Sequence, residues 1–129
     1  MRQTQTTHGI EISVTPVFQK GYSNPQVDKY VFAYYVTIKN TGQETVQLLH
    51  RHWFIYDSGS QIREVKGPGV IGQTPVLHPG EQFEYNSWTE MKTTVGKMYG
   101  YYIMKRLSDD QDIEVEIPEF QLIPPFINN

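Results

Sequence analysis

The sequence predicts an all-β fold, an antiparallel sandwich of about seven or eight strands. Three observations carry that reading. Apolar residues recur with a period of two in several separate runs, as they do when alternate side chains of a strand face a core. Gly, Pro, Asn and Asp clusters break the runs at the spacing of sandwich turns. No stretch keeps a 3.6-residue apolar period for a dozen residues, and Pro68, Pro75 and Pro79 exclude a long helix from the middle.

Residues 1–8 are polar and are expected to fray. The first strand is expected over 9–18, where Ile10, Ile12 and Val14 alternate with Glu11, Ser13 and Thr15. A loop follows with Gly21, Asn24 and Pro25. The second run, 28–40, alternates Tyr30, Phe32, Tyr34, Val36 and Ile38 with smaller or polar residues, and ends at Asn40-Thr41-Gly42. The third spans 45–57 and stops at Asp57-Ser58-Gly59-Ser60. Shorter strands are expected at 61–66 and 69–73. His78-Pro79-Gly80-Glu81 fits a type II turn, with Pro fixing φ at its second place and Gly supplying a positive φ at its third. Strands at 82–88, 97–107 and 111–122 complete the set, the last two separated by Ser108–Gln111. In the final strand Ile113, Val115 and Ile117 form a dry face, so the acids Asp112, Glu114 and Glu116 read as its wet face. The tail 123–129 is extended by Pro124 and Pro125, and its Phe126 and Ile127 are expected to dock on the body.

At 129 residues the chain is expected to form one domain. Nine Tyr, six Phe and two Trp supply a core, and the absence of Cys excludes disulfides, thiolate metal sites and a Cys nucleophile. The net charge is −3 with no basic stripe, so phosphate-neutralising binding to nucleic acid is not expected. Neither a secretory leader nor an apolar run of about 20 residues is present, so a cytoplasmic protein without membrane insertion is expected.

Two clusters invite a functional reading. Gly67-Pro68-Gly69-Val70-Ile71-Gly72 matches the G-x-G-x-x-G pattern. That pattern cradles pyrophosphate only where it follows a strand and opens a helix, and the residues after Gly72 cannot continue as one. A bent strand or loop explains the glycines better, although its N–H groups could form an anion nest aided by Arg63 or Lys66. The second cluster is His50-Arg51-His52-Trp53. On a strand, His50 and His52 share a face about 7 Å apart. Two imidazoles at that spacing could reach one cation but lack further ligands in the sequence. Trp53 reads as core. No cofactor is expected. No nucleophile elbow, zinc-protease motif or other catalytic set is present, so an enzyme is not expected.

Together these segments resemble the ApaG domain family. The resemblance rests on Phe32-Ala33-Tyr34, on Val46–Leu49 with Arg51-His52-Trp53, on Val65–Leu77, on Pro79–Tyr85, on Gly96–Gly100 and on Val115–Phe120, in family order from about Gly9 to Leu122. It implies an immunoglobulin- or fibronectin type III-like sandwich with no established reaction. It also implies a link to cobalt resistance and magnesium efflux, and a protein-binding role in eukaryotic relatives. The positions it marks are Arg51, His52, Trp53, Gly67, Gly69 and Gly72. Three residues depart from the family pattern: Trp88 stands where a glycine is usual, Val95 where a proline is, and Gln73 where a glutamate is. Trp88 therefore joins the candidate binding residues.

The reading that follows is a non-enzymatic module for a protein partner, met by loops or by an exposed strand edge, with a homodimer through such an edge as one form. The alternatives are a sensor of pyrophosphate-containing nucleotides at Gly67–Gly72, or a direct divalent-cation binder through His50 and His52.

Overall fold

A computed structural model describes the backbone of residues 1–128 and the side chains through Phe126. It contains nine strands: β1 (Gln3–Thr7), β2 (Ile10–Phe18), β3 (Tyr30–Asn40), β4 (Val46–Asp57), β5 (Arg63–Pro68), β6 (Val76–Leu77), β7 (Gln82–Met91), β8 (Gly96–Arg106) and β9 (Gln111–Leu122). One sheet has the order β1-β2-β3-β7. The other has the order β5-β4-β8-β9, with β6 paired to the end of β4. Every named pairing is antiparallel, and the two sheets stack as a sandwich.

The period-two residues fill the space between the sheets. Ile10, Ile12 and Val14 of β2 meet Tyr30, Phe32, Tyr34, Val36 and Ile38 of β3, and on the facing sheet Met98, Tyr102, Met104, Val115 and Ile117. Trp53 is 2% exposed and stands edge-on to Tyr34 (5.3 Å), Phe120 (5.9 Å) and Tyr102 (6.5 Å). Each such aromatic pair adds about 0.5–1.5 kcal/mol beyond area burial; the Tyr34 contact joins the two sheets, while those to Phe120 and Tyr102 lie within the sheet of Trp53.

Bulges in β4 and β9 reverse the facing of their strands. Leu48 pairs with Met104 but His50 pairs with Ile103, so Leu49 is an extra residue in β4. Before it, Val46 and Leu48 point inward; after it, Arg51, Trp53, Ile55 and Asp57 do. The second bulge lies between Ile117 and Phe120 in the edge strand β9, at Pro118, where a missing N–H costs the ladder nothing.

Three expectations are corrected. Gln3–Thr7 does not fray: it pairs with β2 through a His8-Gly9 turn whose φ values, 51° and 77°, are those of a type I′ hairpin. Thr4 Oγ1 meets Ser13 Oγ at 3.0 Å, and Thr7 Oγ1 accepts from Glu116 N at 3.2 Å, which ties β1 to both sheets. Residues 69–73 are not a strand but a tight turn, closed by Val70 N to Gln73 O and Gln73 N to Val70 O, both 2.9 Å. The loop 19–28 contains short 3-10 turns at Lys20–Tyr22 and Pro25–Val27. The tail is not extended throughout, since Pro125–Asn128 form a 3-10 turn. Phe126 packs edge-on against Phe18 at 5.8 Å; the side chain of Ile127 lies outside the described residues. The turn at His78–Glu81 forms as expected, with Gly80 at φ 87° and Glu81 N bonded to His78 O.

Candidate functional site

The two long sides of the sandwich are unlike. On one, β1 and β2 close against β9. On the other, the edge strands β5 and β7 leave a cleft of about 440 Å³ between the sheets. Arg63 bridges its mouth: Nη2 donates from β5 to Thr89 Oγ1 and to Glu90 O of β7, both at 3.3 Å.

Arg51 forms the floor of the cleft. The bulge at Leu49 turns it inward with Trp53, and Gly67 lies directly across the strand pair. A Cβ on Gly67 would stand 3.1–3.3 Å from the guanidinium, so this glycine makes room for the arginine. Nη1 of Arg51 donates to Pro68 O (3.0 Å) and Gly69 O (3.1 Å), while Gly69 N donates to Leu49 O (2.7 Å). Bulge, arginine and glycine turn are therefore one device. A Cβ on Gly69 would fall 2.2 Å from Gln73 O, and Gly72 at the outer end has open space beside it. No helix follows the turn, so the geometry of a pyrophosphate cradle is not formed.

Aromatic hydroxyls line the same cleft. Tyr85 Oη meets Tyr102 Oη at 2.5 Å in the buried interior. Burial pushes the Tyr34, Tyr85 and Tyr102 phenols up from the usual tyrosine range, against a smaller opposing pull from Arg51. All three are neutral at ordinary pH.

Trp88 sits on β7 at the lip of the cleft and faces outward, 66% exposed. With Tyr22 (73% exposed) and Tyr35 (49%) it borders a second groove of about 490 Å³, floored by Val31 and Ala33 and flanked by Lys29 and Glu90. The β7 edge beside it is open. Glu90 O receives Arg63 from off the sheet, whereas Glu81 O receives Asn40 N of the β3 side. Backbone groups alternate in direction along an antiparallel edge strand, so Glu84, Asn86 and Trp88 also aim their N–H and C=O away from β3.

His50 and His52 share the outer face of the other sheet, as the spacing predicts, beside Lys66 and on the side of β4 turned away from the cleft. His52 is not free to turn. Its ring stacks on Phe54 at 4.5 Å, Nδ1 pairs with Tyr101 Oη at 2.9 Å, and Nε2 lies 3.8 Å from the Glu64 carboxylate. Among the described residues no group of three or more His, Cys, Asp or Glu is placed to hold a metal ion.

Of the residues singled out from the sequence, Arg51, Trp53, Arg63, Gly67, Gly69 and Trp88 therefore converge on the open side. His50, His52 and Lys66 lie on the opposite face of their sheet, and Gly72 shapes the loop tip. Tyr34, Tyr85 and Ser87 were missed as lining residues. Their signal was present, because each falls on an inward position of β3 or β7, but the neighbour that gives them a role comes from the other sheet.

Comparison with known proteins accords with this architecture. The family model for the ApaG domain matches residues 20–106. A protein named ApaG from Dechloromonas aromatica is 45% identical over 116 residues, 90% of this chain and 91% of that one. Another, from Paramagnetospirillum magneticum, is 45% identical over 95% of this chain and 93% of its own. A crystal structure from Bordetella pertussis superposes with a TM-score of 0.85 at 42% identity, covering 95% of each chain. The bulged β4, its inward arginine and the glycine turn that seats it are thus features of a chain that belongs to the ApaG domain family.

Proposed function

We propose that this chain is a non-enzymatic binding module that docks a polypeptide along the open β7 edge, with Trp88, Tyr22 and Tyr35 as its apolar anchor. The observation that carries the reading is Trp88 itself, a large aromatic left mostly exposed beside a free strand edge. Natural sheets usually guard such an edge with charge, proline or a covering segment. Here the outward residues Glu84 and Glu90 guard only the ends, and the middle offers Asn86 and Trp88. An extended segment adding to β7 would gain main-chain hydrogen bonds from the edge and side-chain contacts from the groove. The cobalt and magnesium link that the resemblance implies would then run through the partner and not through a cation held by His50 and His52. On the same reading the Gly67–Gly72 turn serves to seat Arg51 and not to bind a nucleotide.

A photoreactive amino acid at position 88, irradiated in cells, tests the proposal. The expected result is one dominant crosslinked protein whose attached peptide is extended, and whose yield falls when Tyr35 is changed to Ala. Crosslinks spread over many proteins at low yield, or equal yield from a photoreactive residue at position 50 on the far sheet, would overturn it.

A further inference from the structure

The cleft behind Trp88 has chemistry that polypeptide docking on the outer groove does not use. Arg51 has donors to spare. Nη1 is held by two carbonyls, which fix the plane of the guanidinium, while among the described residues Nε and Nη2 meet no acceptor and no carboxylate lies within 4.0 Å. A half-buried cation in that state has lost part of its hydration without gaining a counter-charge. The phenols of Tyr34 and Tyr85, which share the cleft with it, are neutral and cannot supply one. A second cation, Arg63, stands at the mouth. Glu90 lends its backbone carbonyl to Arg63, and its carboxylate belongs to the outward face of β7. The remaining walls are flat or apolar: Trp53, Val65, Val70 and Ile71. A volume of about 440 Å³ suits one ring and an attached anionic group.

We propose that the cleft between β5 and β7 binds a small organic anion, a carboxylate or phosphate monoester carried on a flat apolar group, with the free edge of the Arg51 guanidinium as its anchor. The anion takes the Nε and Nη2 donors side by side, the paired geometry an arginine offers and a lysine does not. Its ring lies against Trp53 and Tyr34, and Arg63 closes over it from the β5 edge. The same chemistry has two sources, a free small molecule or the terminal carboxylate of a bound polypeptide.

Two-dimensional NMR of the tag-free protein separates this cleft from the outer groove, because the chain has only two tryptophans: Trp53 lines the cleft alone, whereas Trp88 stands at the lip and borders both. Benzoate, phenyl phosphate and N-acetylphenylalanine are titrated against benzamide and N-acetylphenylalanine amide. Saturable shifts of Trp53 with the anions but not the amides are expected, with Arg51→Lys weakening binding by about tenfold or more. Arg63→Gln, at an exposed position, should weaken binding several-fold while leaving the spectrum folded, so the test survives if Arg51 variants unfold. Tighter binding of N-acetylphenylalanine than of benzoate assigns the site to a polypeptide terminus, and the reverse assigns it to a free molecule. No Trp53 shift at millimolar anion, equal binding of benzamide, or shifts confined to Trp88 would overturn the proposal. The last of these would leave the docking surface on β7 intact.

Discussion

Gly69 and Gly72 form a matched pair that isolates the steric term in the glycine turn. Both have positive φ, 61° and 75°, so an alanine at either pays the left-handed cost of about 1–2 kcal/mol. They differ in their surroundings. At Gly72 a Cβ meets nothing within 4 Å, whereas at Gly69 it would fall 2.2 Å from Gln73 O and 3.0 Å from Gln73 C. Relieving that overlap means opening the turn, with loss of the two 2.9 Å hydrogen bonds between Val70 and Gln73. At about 0.5–1.5 kcal/mol net each, they bring the cost of Gly69→Ala to about 2–5 kcal/mol, against about 1–2 kcal/mol for Gly72→Ala. For an m-value of about 2 kcal/mol/M, the Gly69 variant should unfold about 1 M lower in urea than the Gly72 variant. Equilibrium unfolding followed by tryptophan fluorescence measures both midpoints. Midpoints within about 0.3 M of each other at equal m would refute the idea that close approach, and not φ alone, demands glycine at 69.

The remaining predictions concern the core, alkaline pH and Trp88. Asp57 is buried and accepts from Lys92 N (2.7 Å), Thr93 N (3.0 Å) and Thr93 Oγ1 (2.5 Å), so Asp57→Ala should cost about 3–5 kcal/mol in urea unfolding and Asp57→Asn about half of that. The Tyr85 and Tyr102 phenols are raised by burial, so the folded state keeps protons that the unfolded chain releases near its ordinary tyrosine value of about 10. Their contribution is fully present below about pH 10 and is lost as pH rises above it; thermal melts should show that fall, and Tyr85→Phe/Tyr102→Phe should flatten it. Trp88→Ala should change unfolding stability by less than about 0.5 kcal/mol, since the side chain is mostly exposed, yet abolish calorimetric binding of the purified partner that crosslinking identifies; a large loss of stability would show that Trp88 is structural.

Much of the fold was legible because burial on one face leaves a period of two in β2, β3, β8 and β9. The misreadings have physical causes. β1 is polar on both faces, so no apolar alternation marks it, and its signals are the β-branched threonines and the His8-Gly9 turn. Val70 and Ile71 resemble a strand, but Val70 is the buried corner of a turn and Ile71 is exposed at φ 42°. The bulge in β4 was written in the chain as a change of phase, from Val46 and Leu48 to Trp53 and Ile55. Reading that shift places Arg51 inside and both histidines outside. The candidate site was less legible, because Arg51, Arg63, Tyr34 and Ser87 lie on four strands from two sheets. Only the stacking of the two sheets brings them together.

The extra residue at Leu49 also determines which mutations can erase this site. Substitutions along β4 change one side chain at a time and leave the others aimed as they were. Pairing Leu49 with Ile103 in a regular ladder would instead slip the strand beyond it by one residue, sending His50 and His52 into the hydrocarbon and Arg51 and Trp53 out to solvent. The cleft thus tolerates a chain one residue shorter at Leu49, which would run the same inward set on an unbulged strand, but not one shorter between His50 and Ile55, where every later side chain would change face.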